Sequence, residues 1–360
     1  MARFLVVVGA RPNFMKAAPV IRAMRRTGTS VSLVHTGQHY DAAMSDSFFR
    51  DLDLPAPDHH LGVGAQSATR QIGEIMMRLE PVLLGERPAA TVVVGDVNST
   101  LAAALASVKS GVPVAHVEAG LRSFDPSMPE ELNRILTDRL AELLFTTEPQ
   151  AGANLLKEGV DSAKIHHVGN VMIDSLREGL KTAIAASETR RGRLDDYALL
   201  TLHRPATVDA PEVLSRVMAV LGEVSRRIPI VFPCHPRTRK MLDSHGLTER
   251  LKQTEIELHE PVGYRGMLGL MRSAKCVLTD SGGLQEETTA LGIPCLTLRD
   301  NTERPITVEL GTNLLVGTDP TTIRGAVEQV LAGRWKAGRV PENWDGHTGE
   351  RIVDILDRSF

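Results

Sequence analysis

Short apolar runs alternate with helix-length segments along this chain, and that alternation constrains the fold more than any other feature. The first half carries Phe4–Gly9, Val31–His35, Thr91–Gly95, Val114–Val117, Leu143–Thr147 and Ile165–Val168. The second carries Tyr197–Leu202, Ile230–Pro233, Ile256–Leu258, Cys276–Thr279, Cys295–Leu298 and Asn313–Val316. Between them lie stretches of helical periodicity such as Met15–Arg26, Val213–Arg227 and Thr321–Leu331. Short runs rich in β-branched residues read as buried strands, and a strand–helix–strand order places them in parallel sheets with helices on both faces. The expected class is α/β. In such sheets ligands sit beyond the carboxyl ends of the strands, so polar residues that directly follow a strand carry the functional argument.

A length of 360 residues suits two domains. A boundary is expected after Gly169-Asn170, giving a first domain of residues 1–169 and a second of residues 170–345. The polar, charged stretch Thr182–Asp196 suits a surface segment, and residues 346–360 read as a terminal helix with Ile352, Val353, Ile355 and Leu356 as its apolar face. A formal net charge of −3 gives no electrostatic case for nucleic acid or an anionic membrane. The three cysteines, Cys234, Cys276 and Cys295, lie far apart in apolar runs and read as buried, reduced thiols. With no signal-peptide pattern and no apolar stretch of membrane-spanning length, a reducing cytoplasm is the expected location.

The most informative single stretch is Asp280-Ser281-Gly282-Gly283-Leu284-Gln285-Glu286-Glu287. It follows the strand-like run Cys276–Thr279 and opens a helix. A Ser-Gly-Gly turn there bares backbone N–H groups at the positive end of the helix dipole, an arrangement that favours phosphate. Glu287, one turn on, is placed to meet a nucleotide's ribose hydroxyls. Read without a ligand, the same stretch is a Ser N-cap with glycines that fit a tight turn.

Other strand ends repeat the theme. Arg11 follows the first strand in Gly9-Ala10-Arg11-Pro12, and Lys16 lies in the first turns of the next helix. Asp96 ends one strand and Glu118 another. His203 and Arg204 follow Tyr197–Leu202, His235 follows Ile230–Pro233, and Arg304 lies in the segment after Cys295–Leu298. Two histidines in equivalent strand-end places favour ligand contact. Glu130 differs: Ser127-Met128-Pro129-Glu130 resembles a capping box, and the residues alone favour a structural role for it. His59-His60 and His166-His167 read as loop residues without metal spacing. Neither a GxGxxG fingerprint nor a P-loop is present.

Taken in order, these segments resemble the non-hydrolysing UDP-N-acetylglucosamine 2-epimerase family over nearly the whole chain. The matching stretches are Gly9–Pro12, Gly37-Gln38-His39-Tyr40, Gly95-Asp96, His116–Arg122, Pro129–Arg134, Gly169-Asn170, His203-Arg204, Asp280–Glu287 and Thr302–Pro305. The resemblance implies a GT-B fold, two Rossmann-like domains with an interdomain active-site cleft and a C-terminal helix, residues 346–360, that rejoins the first domain. It implies interconversion of UDP-GlcNAc and UDP-ManNAc by elimination of UDP to 2-acetamidoglucal and re-addition, with no nicotinamide or metal cofactor. The implied partners are a UDP-N-acetylhexosamine substrate and a second copy of the chain in a homodimer. Asp96, Glu118, Glu130 and His203 match the catalytic positions. Arg11, Lys16, Arg204, His235, Ser281, Gly282, Gly283, Glu287 and Arg304 match substrate-binding positions. The resemblance thus reverses the structural reading of Glu130.

The chain departs from the family pattern in places. Asn13 stands where many relatives have glutamate, Pro205-Ala206-Thr207 replaces a commoner Arg-Glu run, the spacer from Glu118 to Glu130 is one residue shorter than in some relatives, and Asp41 stands where some allosterically activated bacterial members have glutamine. The competing readings are a hydrolysing epimerase that releases ManNAc and UDP, a GT-B glycosyltransferase, and a nucleotide-sugar-binding regulator without turnover. Paired strand-end carboxylates fit transfer to an acceptor less well than epimerisation, because inversion at one carbon needs proton transfer on two faces.

Overall fold

A computed structural model describes residues 3–38, 52, 54–185, 188, 190 and 196–360. His39, Tyr40 and Asp41 of the motif noted above lie outside the described residues.

The first unit contains β1 (Arg3–Val8), α1 (Arg11–Thr27), β2 (Ser30–His35), β3 (His59–His60), α2 (Ala68–Glu86), β4 (Ala90–Val94), α3 (Asn98–Lys109), β5 (Val114–Ala119), α4 (Pro129–Leu140), β6 (Leu143–Thr146), α5 (Pro149–Lys157), β7 (Ile165–His167) and α6 (Val171–Lys181). Its sheet has the order β3-β2-β1-β4-β5-β6-β7, every pair parallel. The second unit contains β8 (Ala198–Thr201), α7 (Pro205–Val208), α8 (Pro211–Ser225), β9 (Ile230–Pro233), α9 (Pro236–Ser244), α10 (Leu247–Leu251), β10 (Ile256–His259), α11 (Tyr264–Ser273), β11 (Cys276–Thr279), α12 (Gly282–Leu291), β12 (Cys295–Thr297), α13 (Pro305–Glu309), β13 (Asn313–Leu315) and α14 (Pro320–Leu331). Its sheet runs β10-β9-β8-β11-β12-β13, again parallel throughout. A last helix, α15 (Thr348–Ser359), belongs to the first unit.

Both sheets are covered on two faces, and their strands read accordingly. Phe4, Leu5, Val6 and Val8 are fully buried, as are Ala198, Leu199 and Leu200. Continuous apolar runs of this kind belong to parallel strands packed on both sides. The three free cysteines are buried, and burial pushes the Cys234 thiol up to about 12. Among the described residues no helix is long and apolar enough to cross a membrane.

The units comprise Met1–Arg177 with Glu342–Phe360, and Glu178–Pro341. The division therefore falls inside α6 rather than after Gly169. The reason is local: on α6, Ser175 Oγ donates to the Met15 carbonyl at 2.5 Å and Asp174 accepts from the Gly349 amide at 2.8 Å, which ties the start of that helix to the first unit. His59-His60, expected in a loop, forms the edge strand β3 through the register Val34↔His59 and His35↔His60, and His166-His167 close β7. A two-residue edge strand has no apolar run to betray it.

In each sheet the strand order reverses once, between β1 and β4 and between β8 and β11. Helices leave on opposite sides at such a switch point and open a crevice at the carboxyl ends.

Candidate active site

The chain places its candidate residues at those two switch points. In the first unit, Gly9-Ala10-Arg11 leaves β1 and Gly95-Asp96 leaves β4. Asn13, one of the departures noted above, holds the first turn: its side-chain oxygen accepts the Gly9 and Ala10 amides, both at 3.2 Å, and its amide donates to the Val94 carbonyl at 2.8 Å. One buried side chain thus fixes the ends of β1 and β4 together. Arg11 is the first residue of α1 and so stands at the end of β1.

Lys16, a turn further along α1, forms a buried ion pair with Glu118. Glu118 lies near the end of β5, where the register with β6 shifts between Val117 and Ala119. Its φ of +72° is left-handed, a conformation that costs a non-glycine residue energy and that clusters at functional sites. The bulge turns the carboxylate out of the strand's alternation. Gly95 makes room for the pair: its φ is +67°, and a Cβ there would stand 2.8 Å from Lys16 Nζ and 3.2 Å from Glu118 Oε2.

Helix α4 supplies the rest of this cluster. Arg134 Nη2 meets Asp96 Oδ2 at 2.5 Å, and Asn133 donates to the Asp96 carbonyl at 2.9 Å. Arg134 also pairs with Glu131, which is buried. Burial works against the Glu131 charge, but the Ser123 amide and hydroxyl, Arg134 and the Phe124 amide hold it below the usual carboxylate range. Glu130 is exposed in the first turn of α4, on the helix face that carries Arg134 one turn later. The capping box is not formed: Met128 is the N-cap, and the Ser127 hydroxyl donates instead to Asp125 at 2.6 Å.

His116, on β5, is fully buried between Asp138 Oδ1 at 2.6 Å and the Gly95 carbonyl at 2.8 Å. Asp138 in turn takes the Gly120 amide at 3.1 Å and Arg122 at 2.8 Å. This network braces the backbone on both sides of Glu118.

In the second unit, His203 and Arg204 leave β8 and Asp280 leaves β11. Asp280 is fully buried and accepts the amides of His203 and Arg204, each at 2.9 Å, and His203 Nδ1 at 2.9 Å. Burial alone would raise the Asp280 carboxyl, but the His203 ring and these two amides bring it below the usual range. A carboxylate at Nδ1 fixes the tautomer and leaves Nε2 as the ring's proton-exchanging atom. His235 is the N-cap of α9, and its Nδ1 accepts the Arg237 amide at 3.2 Å, so a neutral ring offers Nε2–H as a donor.

Ser281 occupies the N-cap of α12 without a side-chain cap hydrogen bond, and Gly282 and Gly283 open the helix. Its first amides are therefore not spent on the Ser281 hydroxyl, as a purely structural cap would require. Glu287 is buried and accepts from the Tyr264 hydroxyl at 3.0 Å. Burial and the Glu287 charge push the Tyr264 hydroxyl well above its ordinary range, so it stays a donor. Arg304 is buried and paired with Glu286 at 2.7 Å, while Arg204 pairs with Glu303 at 3.0 Å and Arg299 with the same carboxylate at 2.9 Å.

The structure thus joins Lys16 with Glu118 and Asp96 with Arg134 in one unit, and His203 and Arg204 with Asp280 in the other. It gives Arg304 an internal partner. Sequence reasoning assigned no role to Asn13, Glu131, Arg134, His116 or Asp280; the available signals were the strand-end position of Asp280 and the presence of His116, Glu131, Arg134 and Asp280 in the stretches that match the family.

Two parallel α/β units with charged residues at each switch point define a Rossmann-type enzyme built to act on an anionic, nucleotide-like ligand. Residues 22–357 match the family UDP-N-acetylglucosamine 2-epimerase, and the chain belongs to that family. The chain is 43% identical to the UDP-N-acetylglucosamine 2-epimerase of Methanococcus maripaludis, over 99% of this chain and 98% of that one. It is 43% identical to the UDP-2,3-diacetamido-2,3-dideoxy-D-glucuronate 2-epimerase of Pseudomonas aeruginosa, over 88% of each chain. Its structure is similar to that of the Methanocaldococcus jannaschii UDP-GlcNAc 2-epimerase in complex with UDP-GlcNAc and UDP, with a TM-score of 0.89, 42% identity and 99% of each chain covered. The protein is an α/β isomerase with the two-Rossmann-domain architecture of GT-B proteins.

Proposed function

We propose that this enzyme interconverts UDP-GlcNAc and UDP-ManNAc without hydrolysis, and that Asp96, Glu118, Glu130 and His203 carry the proton and leaving-group chemistry. The observation that carries the reading is the strained, bulged Glu118 held by buried Lys16 beside the Asp96–Arg134 pair. The C2 proton of the sugar is too weakly acidic for simple removal and return. Elimination solves this: a base takes the C2 proton, the C1–O bond breaks, and its electron pair leaves on the β-phosphate oxygen of UDP. The product is the glycal. A proton then adds to C2 from the other face as the same phosphate oxygen re-forms the bond at C1. Two faces require two proton-transfer groups. Three carboxylates of the first unit are candidates for these roles: Asp96 after β4, Glu118 on β5 and Glu130 on α4.

The developing charge on UDP needs donors. The start of α12, His235 Nε2–H and Arg204 supply them in the second unit, with Arg11 and Lys16 in the first. Glu287, oriented by Tyr264, takes the ribose hydroxyls.

The test is incubation with UDP-GlcNAc in deuterium oxide followed by NMR. The expected result is UDP-ManNAc with deuterium at C2 and intact glycosidic phosphate. Release of free ManNAc and UDP would assign the hydrolysing outcome. Label retention at C2, or a requirement for an acceptor sugar, would refute epimerisation by elimination.

A further inference from the structure

The loop between Glu118 and Glu130 carries an aromatic side chain in an unexpected state. Phe124 is 74% exposed, the most exposed large apolar residue among those described, and its φ is +57°. A bulky side chain in the left-handed region is a backbone outlier. Strain of this kind persists only where the surroundings enforce it, and here they do. The buried Glu131 carboxylate accepts the Phe124 amide at 3.0 Å and the Ser123 amide and hydroxyl, each at 2.9 Å. Asp125 holds the next turn through the Ser127 amide at 3.0 Å. Glu131 is paired with Arg134, and Arg134 with Asp96. The backbone that carries the ring is therefore anchored, through one carboxylate and one guanidinium, to the Asp96 side chain.

An aromatic ring displayed to solvent from a pinned, left-handed backbone forgoes burial and keeps that backbone strained at once. The two costs together point to a surface preformed for a ligand. The chemistry that fits is the C–H face of a pyranose or the methyl of its N-acetyl group, because an aromatic face takes up apolar C–H surface without demanding hydrogen bonds. We infer that Phe124 is a sugar-contacting residue of the substrate site, packing its ring on the hexosamine of the nucleotide sugar and contributing to recognition of that sugar rather than of UDP. The inference rests on the reading of the site given above.

Three variants test it: Phe124→Gly, Phe124→Leu and Phe124→Tyr. Phe124→Gly removes the ring and also relieves the left-handed backbone, so its Tm should equal or exceed that of the wild type. Its KM for UDP-GlcNAc should rise about ten-fold, with kcat less affected. Phe124→Leu should raise KM similarly, and Phe124→Tyr, which keeps the ring, should restore it. Calorimetric Kd for UDP alone should be unchanged in all three. An unchanged KM in Phe124→Gly, with wild-type turnover intact, overturns this inference and leaves the proposed function standing. Equal weakening of UDP and UDP-GlcNAc also overturns it, because the ring would then act on the nucleotide. A shift in oligomeric state with unaltered KM assigns the ring to a subunit contact. A wild-type chain inert toward UDP-GlcNAc removes both readings together.

Discussion

Replacing Lys16 by methionine is the most exacting test of the site as drawn. The Lys16 and Glu118 side chains are 9% and 3% exposed, so the pair lies beyond the reach of solvent screening. Exposed pairs contribute about 0–1 kcal/mol, but breaking a buried pair costs about 3–5 kcal/mol because the remaining buried charge loses that attraction. Lys16→Met keeps the length and apolar stem of the lysine, so packing on α1 changes little and the loss is chiefly electrostatic. In a unit of about two hundred residues, that loss corresponds to a fall of roughly 6–20 °C in the melting temperature. Glu118→Gln should cost a similar amount by stranding the lysine. The double variant Lys16→Met/Glu118→Gln removes both charges and should recover at least about 2 kcal/mol relative to the sum of the single effects. Calorimetric melts of the four proteins complete the cycle. Additivity within about 0.5 kcal/mol would mean that the two groups do not sense each other, and the bulged Glu118 would then need another explanation.

Four further outcomes follow from the geometry. Asp280→Asn should lower kcat by about 10²–10⁴-fold with little change in KM, because His203 loses the group that fixes its tautomer; steady-state kinetics checks it, and near-normal turnover would remove the Asp280–His203 pair from the mechanism. Glu130→Gln should leave the melting temperature nearly unchanged, since no capping box depends on Glu130, while turnover falls by about 10²–10⁴-fold and UDP still binds. Glu287→Gln should weaken UDP binding in calorimetry by roughly 1.5–3 kcal/mol for each charge-assisted hydrogen bond it loses, and an unchanged affinity would rule out the ribose contact. Arg304, Arg204 and Arg299 outweigh burial and hold the Glu303 carboxyl far below its ordinary value of 4.5; its stabilisation is present above about pH 4.5 and is lost as pH falls toward the folded-state value, so Glu303→Gln should melt lower than the wild type at pH 7 and the gap should narrow in strong acid.

Much of this architecture was readable because its signals are local. A buried parallel strand such as Phe4–Val8 writes itself as an unbroken apolar run, and the residue that leaves it, Arg11, is placed by position alone. Strand β3 was not readable, since His59-His60 joins the sheet only by pairing with β2. The division of α6 has no local signal for the same reason: it follows contacts of Asp174 and Ser175 with residues far away in sequence. Within the candidate site, sequence position picks out the groups at strand ends but not the contacts that hold them. Glu131 and Arg134 lie in a stretch that matches the family, but their burial and their contacts with Ser123 and Asp96 appear only in the fold. Glu130 shows the converse, for the pattern Ser-x-x-Glu suggested a cap that the backbone does not make.

The first unit is discontinuous along the chain. Helix α15 lies against α1, with Arg26 on Glu350 at 2.6 Å and Thr29 on Asp357 at 3.0 Å, and a side chain at Gly349 would strike the Pro19 carbonyl at 2.6 Å. Trp344, fully buried, donates to the Thr147 carbonyl at 2.9 Å. During synthesis, therefore, the unit that carries Lys16, Asp96 and Glu118 waits with one flank uncovered while the whole of the second unit emerges and folds. The nascent chain cannot complete its first unit until residues 342–360 have cleared the ribosome, so folding of that unit joins the two ends of the chain.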